Sequence, residues 1–105
     1  MLRILDDVLV LVREVAPLAT SISRHDACLA KQLRSALSSA ALNIAEGSSQ
    51  RGARLSNHYC IALGSARESF TALRVAEAWG YIPLVPHPIA DRFDKVFATL
   101  TKLTR

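Results

Sequence analysis

The residues of this chain with the means to do chemistry are few: carboxylates at Glu14, Glu46, Glu68 and Glu77, three histidines, two thiols and Ser65. General acid–base work needs a group positioned on a reacting atom, with an acid, base or nucleophile converging on it. Neither Glu46 nor Glu68 has such a companion in sequence, so neither reads as catalytic. A dimetal centre in a helical bundle takes Glu from two helices and a Glu-x-x-His pair from each of the others. The residues three beyond the four glutamates are Pro17, Ser49, Thr71 and Gly80, so that spacing fails. His25, His58 and His87 fall near helix beginnings or in loops without zinc-ligand spacing, and read as solvated or capping side chains. Ser65 lacks the Gly-x-Ser-x-Gly turn and an adjacent His or Asp, and neither a Walker loop nor a dinucleotide fingerprint occurs. The expectation is a chain with no catalytic residue, no metal and no cofactor, and therefore not an enzyme.

What the sequence specifies plainly is helices. From Leu2 to about Ile22, the residues Leu5, Val8, Leu9, Val12, Val15 and Ala19 form the main apolar stripe, with Leu2, Ile4, Leu11 and Leu18 off it. This helix is apolar on more than one side, and Pro17 is expected to kink it or restart its last turn. Ser23 with Asp26 three residues on resembles a capping box and opens a second helix, about 24–46, which Gly47 closes as a left-handed C-terminal residue. Small residues fill its middle: Ser35, Ala36, Ser38, Ser39, Ala40 and Ala41. After a polar turn at 48–52, a third helix runs over about 54–79, with Leu55, Tyr59, Ala62, Ala66, Phe70 and Leu73 on one face and Gly80 ending it. Gly64 inside that helix costs ~1 kcal/mol relative to Ala, which points to close packing at Gly64-Ser65. Pro88 suits the first turn of a fourth helix, about 88–104, carrying Ile89, Phe93, Val96, Phe97, Leu100 and Leu103. Short connections make these an all-α fold, an antiparallel up-and-down four-helix bundle, in one domain of 105 residues.

Composition bounds the rest. Half the residues are hydrophobic but few are aromatic, so the core is Leu, Val, Ile and Ala. No apolar run approaches the ~20 residues of a membrane span, and Arg3, Asp6 and Asp7 break the N-terminus too early for a secretory signal; a cytoplasmic chain is expected. A second apolar face on the first helix, with a mean hydropathy of +0.22, predicts self-association. The net charge is +4, and all of it arises between Arg24 and Arg74, where seven basic residues face three acidic ones.

The second and third helices form a hairpin whose apex lies near Gln50, and both arms rise ~1.5 Å per residue. Arg34 then stands level with Arg67, and Glu68 with Lys31 and Arg34. Asn43 is a mediocre helix former, and Glu46 sits in a last turn where the helix dipole disfavours a carboxylate. These placements predict structural networks, Glu68 with Arg34 and Lys31, and Glu46 with Asn43 and Arg54. Cys28 and Cys60 miss each other by ~18 Å along the axes, beyond disulfide reach, and read as reduced, packed thiols. Lys31, Arg34, Arg67 and Arg74 make a basic band, a candidate nucleic-acid contact, without interleaved aromatics for base stacking.

Gln32-Leu33-Arg34-x-Ala36, Asn43-Ile44-Ala45-Glu46-Gly47, Ile61-Ala62-x-Gly64-Ser65-x-x-Glu68 and Gly80-Tyr81 together resemble the small four-helix bundle family named for proteins encoded in intervening sequences of 23S ribosomal RNA genes. The resemblance covers essentially the whole chain. The run is also similar to the accessory variability proteins of diversity-generating retroelements, of the same superfamily. The resemblance implies a homopentameric ring in the bacterial cytosol, without established enzymatic activity. In the retroelement relatives it implies a ring that binds nucleic acid and a reverse transcriptase. Asn43, Glu46, Gly47, Gly64, Ser65 and Glu68 match the motif and carry a structural role.

The functional expectation is a non-enzymatic, oligomeric bundle that binds RNA or DNA, or docks a nucleic-acid enzyme, through the basic band. The alternative is a protein-binding scaffold that uses the surplus apolar face of the first helix and has no nucleic-acid role.

Overall fold

The computed structural model describes residues 3–104. Helices α1 (Arg3–Ser23), α2 (Ala27–Ser48), α3 (Ala53–Trp79) and α4 (His87–Leu103) follow one another, and no strand occurs among the described residues. Each packs on its neighbour in sequence and α4 returns to α1, the up-and-down bundle expected from short connections. It measures 42 × 24 × 19 Å.

The apolar register of α1 differs from the expected one. Its buried residues are Ile4, Val8, Leu11, Val15, Ala19 and Ile22, while Leu9 and Val12 are 40% and 37% exposed. The continuous run Val8–Val12 offers an apolar residue to either face, and packing against α2 and α4 selects Leu11. Pro17 lies inside an unbroken helix; the helix neither stops nor restarts there. Leu2 lies outside the described residues.

Two helix ends also fall elsewhere than expected. Ser23 is still the last residue of α1, its hydroxyl donating to the Thr20 carbonyl at 2.6 Å. Asp26 is extended at φ −153° and caps α2 by accepting the Leu29 N–H at 2.9 Å. Gly47 is not a left-handed cap. It is buried within α2, which ends at Ser49 with φ −97°. Gly80 does take the left-handed conformation, φ 78°, and the Tyr81 N–H returns to the Ala76 carbonyl at 2.9 Å.

The α2–α3 pair makes the most extensive contact of the bundle. Ala30, Ala36 and Ala40 on one arm and Ala62, Ala66, Ala72 and Ala76 on the other are all buried, and side chains this small let the backbones approach. Gly64 has no part in that approach: it is exposed, and a Cβ there would meet nothing within 4 Å. Of the Gly64-Ser65 pair, only Ser65 faces the neighbouring helix, through Ser39. On the other side of the bundle, Phe70 of α3 packs on Phe93 and Phe97 of α4, with ring centroids 5.1 and 6.0 Å away. Arg92 joins α4 to α1, donating from Nε to Glu14 Oε1 at 2.8 Å with Asp7 at 3.9 Å. Cys28 and Cys60 are free, as expected, but exposed rather than packed.

Candidate functional site

Two of the matching motif residues, Asn43 and Ser65, take part in a polar chain that crosses the α2–α3 seam. Ser39 Oγ and Ser65 Oγ are 2.9 Å apart. Asn43 Nδ2 donates to the Ser39 carbonyl at 3.0 Å and reaches Ser39 Oγ at 3.3 Å. Because the amide nitrogen faces a carbonyl, Asn43 Oδ1 is the atom left for His58 Nδ1, at 3.0 Å. That oxygen can only accept, so the proton of the neutral ring sits on Nδ1 and Nε2 is the free acceptor. All four side chains are half-buried. This explains a poor helix former at position 43: the amide gains partners from two helices. His58 is thus neither solvated nor capping, and its place opposite Asn43 follows from the hairpin apex at Gln50.

Glu46 takes no part. It is exposed, as is Arg54, and among the described residues neither forms an ion pair. The expected Glu46–Asn43–Arg54 network is replaced by the Ser39–Ser65–Asn43–His58 chain, since Asn43 sits on the α3-facing side of α2 and Glu46 one step further out.

The second expected network, Glu68 with Arg34 and Lys31, is absent as well. Arg34 projects on the α1 side of α2, where it lines a groove of about 270 Å³ with Val12, Val15, Ala16, Ala19, Leu37 and Ser38. Glu68 lines a different groove, about 330 Å³, with Leu29, Gln32, Thr71, Ala72 and Val75 between α2 and α3. The two are level along the bundle and on opposite flanks of α2. Axial counting fixes height but says nothing of azimuth, which is why the sequence placed them together.

The same division splits the basic band. Arg67 and Arg74 lie three before and four after Phe70, whose ring faces α4, so they belong to the α3–α4 side while Arg34 belongs to the α1–α2 side. Lys31 is exposed on α2, one turn before Arg34. Arg74 pairs with Glu77 at 3.3 Å; Lys31, Arg34 and Arg67 have no ion-pair partner among the described residues. The resulting surface has two basic flanks instead of one band.

The end of the bundle holds a feature the sequence reading missed. His25, from the α1–α2 connection, stacks on Tyr81, from the α3–α4 connection, with centroids 5.0 Å apart and planes 5° from parallel. Tyr81 stacks in turn on Trp79 at 6.3 Å and 16°. His25 lies far in sequence from the Trp79-Gly80-Tyr81 run, so no local pattern announces that the rings meet.

No group of three or more metal-binding side chains occurs among the described residues. None of their helices is long and apolar enough to cross a membrane.

Compared with known proteins, residues 1–102 match the family model described as 23S rRNA-intervening sequence protein. A crystal structure from Bacteroides thetaiotaomicron VPI-5482, of a protein with unknown function from the S23 ribosomal protein family, superposes with a TM-score of 0.69 at 19% identity. The superposition covers 96% of this chain and 91% of that one. No curated protein matches.

Proposed function

The chain belongs to the 23S rRNA-intervening sequence protein family, and from that premise we propose that it is a non-enzymatic, ring-forming bundle that binds RNA or DNA on its basic flanks or docks a nucleic-acid enzyme there. The observation that carries this reading is the exposed, ion-pair-free state of Lys31 and Arg67 among the described residues. Cations left without carboxylates can neutralise phosphates, and repeated around a symmetry axis they sum to a strong local field.

Assembly supplies that repetition. One groove beside α2 carries Arg34 and the other carries Glu68, so one protomer's α1–α2 flank complements the next protomer's α2–α3 flank in charge. A contact between two different surfaces is head-to-tail and closes into a ring when the rotation permits. Since Arg34 and Glu68 are level, pairing them between copies adds little rise along the bundle, which favours a closed ring over a filament. The homopentamer implied by the family resemblance is the ring we propose. Arg34 then belongs to the contact, Arg74 is held by Glu77, and Lys31 and Arg67 are left for nucleic acid.

The test is a titration of the purified protein against fluorescent duplex DNA, structured RNA and single strands at low and physiological salt, with the mass read by light scattering. Binding is expected to fall linearly on a log–log salt plot by about 0.9 per phosphate contacted on duplex DNA, and Lys31→Glu with Arg67→Glu to abolish it. No binding at low salt overturns the nucleic-acid reading. It leaves the protein-binding scaffold, which the exposed Leu9 and Val12 of α1 favour.

A further inference from the structure

Trp79 is 69% exposed, an unusual state for the largest apolar side chain, and its ring lies within 16° of parallel to Tyr81, on which His25 also stacks. A ring kept only to tie the helix end down would be covered; this one lies alongside Tyr81 with its surface left in water. Flat, pre-oriented aromatic rings bind whatever is flat and poorly hydrated on its face, and a nucleobase is such a group.

The local charge fits the same ligand. Arg24 is exposed beside His25 and has no ion-pair partner among the described residues. The two carboxylates nearest the stacked residues in sequence, Asp26 after His25 and Glu77 before Trp79, each have a partner. Asp26 accepts the Leu29 N–H at 2.9 Å, and Glu77 accepts the Val85 N–H at 2.7 Å while pairing with Arg74. Rings with an unpaired cation alongside match a base and its phosphate.

We propose that the His25–Tyr81–Trp79 stack is a platform for an unpaired base of single-stranded nucleic acid, with Trp79 as the contact face and Arg24 on the phosphate. This rests on the nucleic-acid reading above and narrows it, because a base inside a duplex has no free face to offer. The ordering of Trp79 before the ligand arrives lowers the entropy lost on binding.

The chain has a single tryptophan, so its emission reports this site alone. A short oligothymidylate, which stacks poorly on itself, is added to the full-length protein at low salt while Trp79 emission and the anisotropy of a labelled strand are followed together. Saturable quenching is expected with the single strand and not with its duplex with oligodeoxyadenylate of the same length. Trp79→Ala is expected to weaken single-strand binding roughly tenfold or more, with Trp79→Phe retaining most of it; the helical circular dichroism of both variants should match the parent. A strand that binds by anisotropy without quenching, and binds Trp79→Ala equally well, overturns the platform and leaves the nucleic-acid reading standing. No binding of any strand overturns both. Emission that shifts with protein concentration alone assigns the ring to a contact between copies, and that too overturns the platform.

Discussion

A Cβ built on Gly47 would lie 2.7 Å from Cε1 of Tyr59, closer than side-chain atoms approach. Gly47 is therefore fixed by the neighbouring helix. Tyr59 is only 3% exposed, with no room to swing aside. Gly47→Ala is expected to destabilise the fold by up to ~2 kcal/mol, the ~1–3 kcal/mol of overpacking less the ~1 kcal/mol that Ala returns in helix propensity. The midpoint of urea unfolding at constant slope measures it.

Gly64 predicts the opposite sign. It sits in the interior of α3 with open space where its Cβ would be. Gly64→Ala is expected to stabilise the dissociated chain by up to ~1 kcal/mol, the helix-interior difference between the two residues. The same unfolding experiment at high dilution reads it.

The seam between α2 and α3 depends on Asn43 more than on either serine, because its amide serves both Ser39 and His58. Asn43→Ala removes those bonds and leaves the His58 Nδ1–H half-buried without its acceptor. The expected cost is ~1–3 kcal/mol. Adding His58→Ala is expected to cost less than the two single losses combined, a coupling that a double-mutant cycle measures.

Arg92 clamps α4 onto α1 through Glu14. The pair is about one-third exposed, so its worth is modest, and Arg92→Ala is expected to cost ~0.5–1 kcal/mol and less in high salt. Arg92→Lys should not restore it, since the bond runs from Nε of a planar guanidinium.

Arg34 and Glu68 predict an effect on assembly with none on the fold. Both are exposed and have no ion-pair partner in their own chain among the described residues. Arg34→Glu alone is expected to lower the mass seen by light scattering while leaving the helical signal unchanged. Arg34→Glu with Glu68→Arg reverses both charges and is expected to restore the assembly. A double variant that stays dissociated would remove this pair from the contact.

The helices themselves were legible in the sequence, because the period of α2, α3 and α4 and the glycine after Trp79 are local properties. The hairpin register was legible too. Counting from Gln50 sets Asn43 opposite His58, since rise per residue is the same on both arms, whereas Ser65 lies one turn beyond the position that the same count gives for the partner of Ser39. Rotation about each helix axis was not. Whether Leu9 or Leu11 of α1 turns inward, and whether Arg34 reaches α1 or α3, is settled by the competition of whole faces for the core, and the apolar run Val8–Val12 satisfies more than one outcome on its own. Gly47 shows the same limit: its residue type is consistent with a left-handed cap, and only the ring of Tyr59 across the seam reveals that the need was space. The His25–Tyr81–Trp79 stack lies furthest from sequence, since two connections distant along the chain meet only when four helices bring their ends to one place.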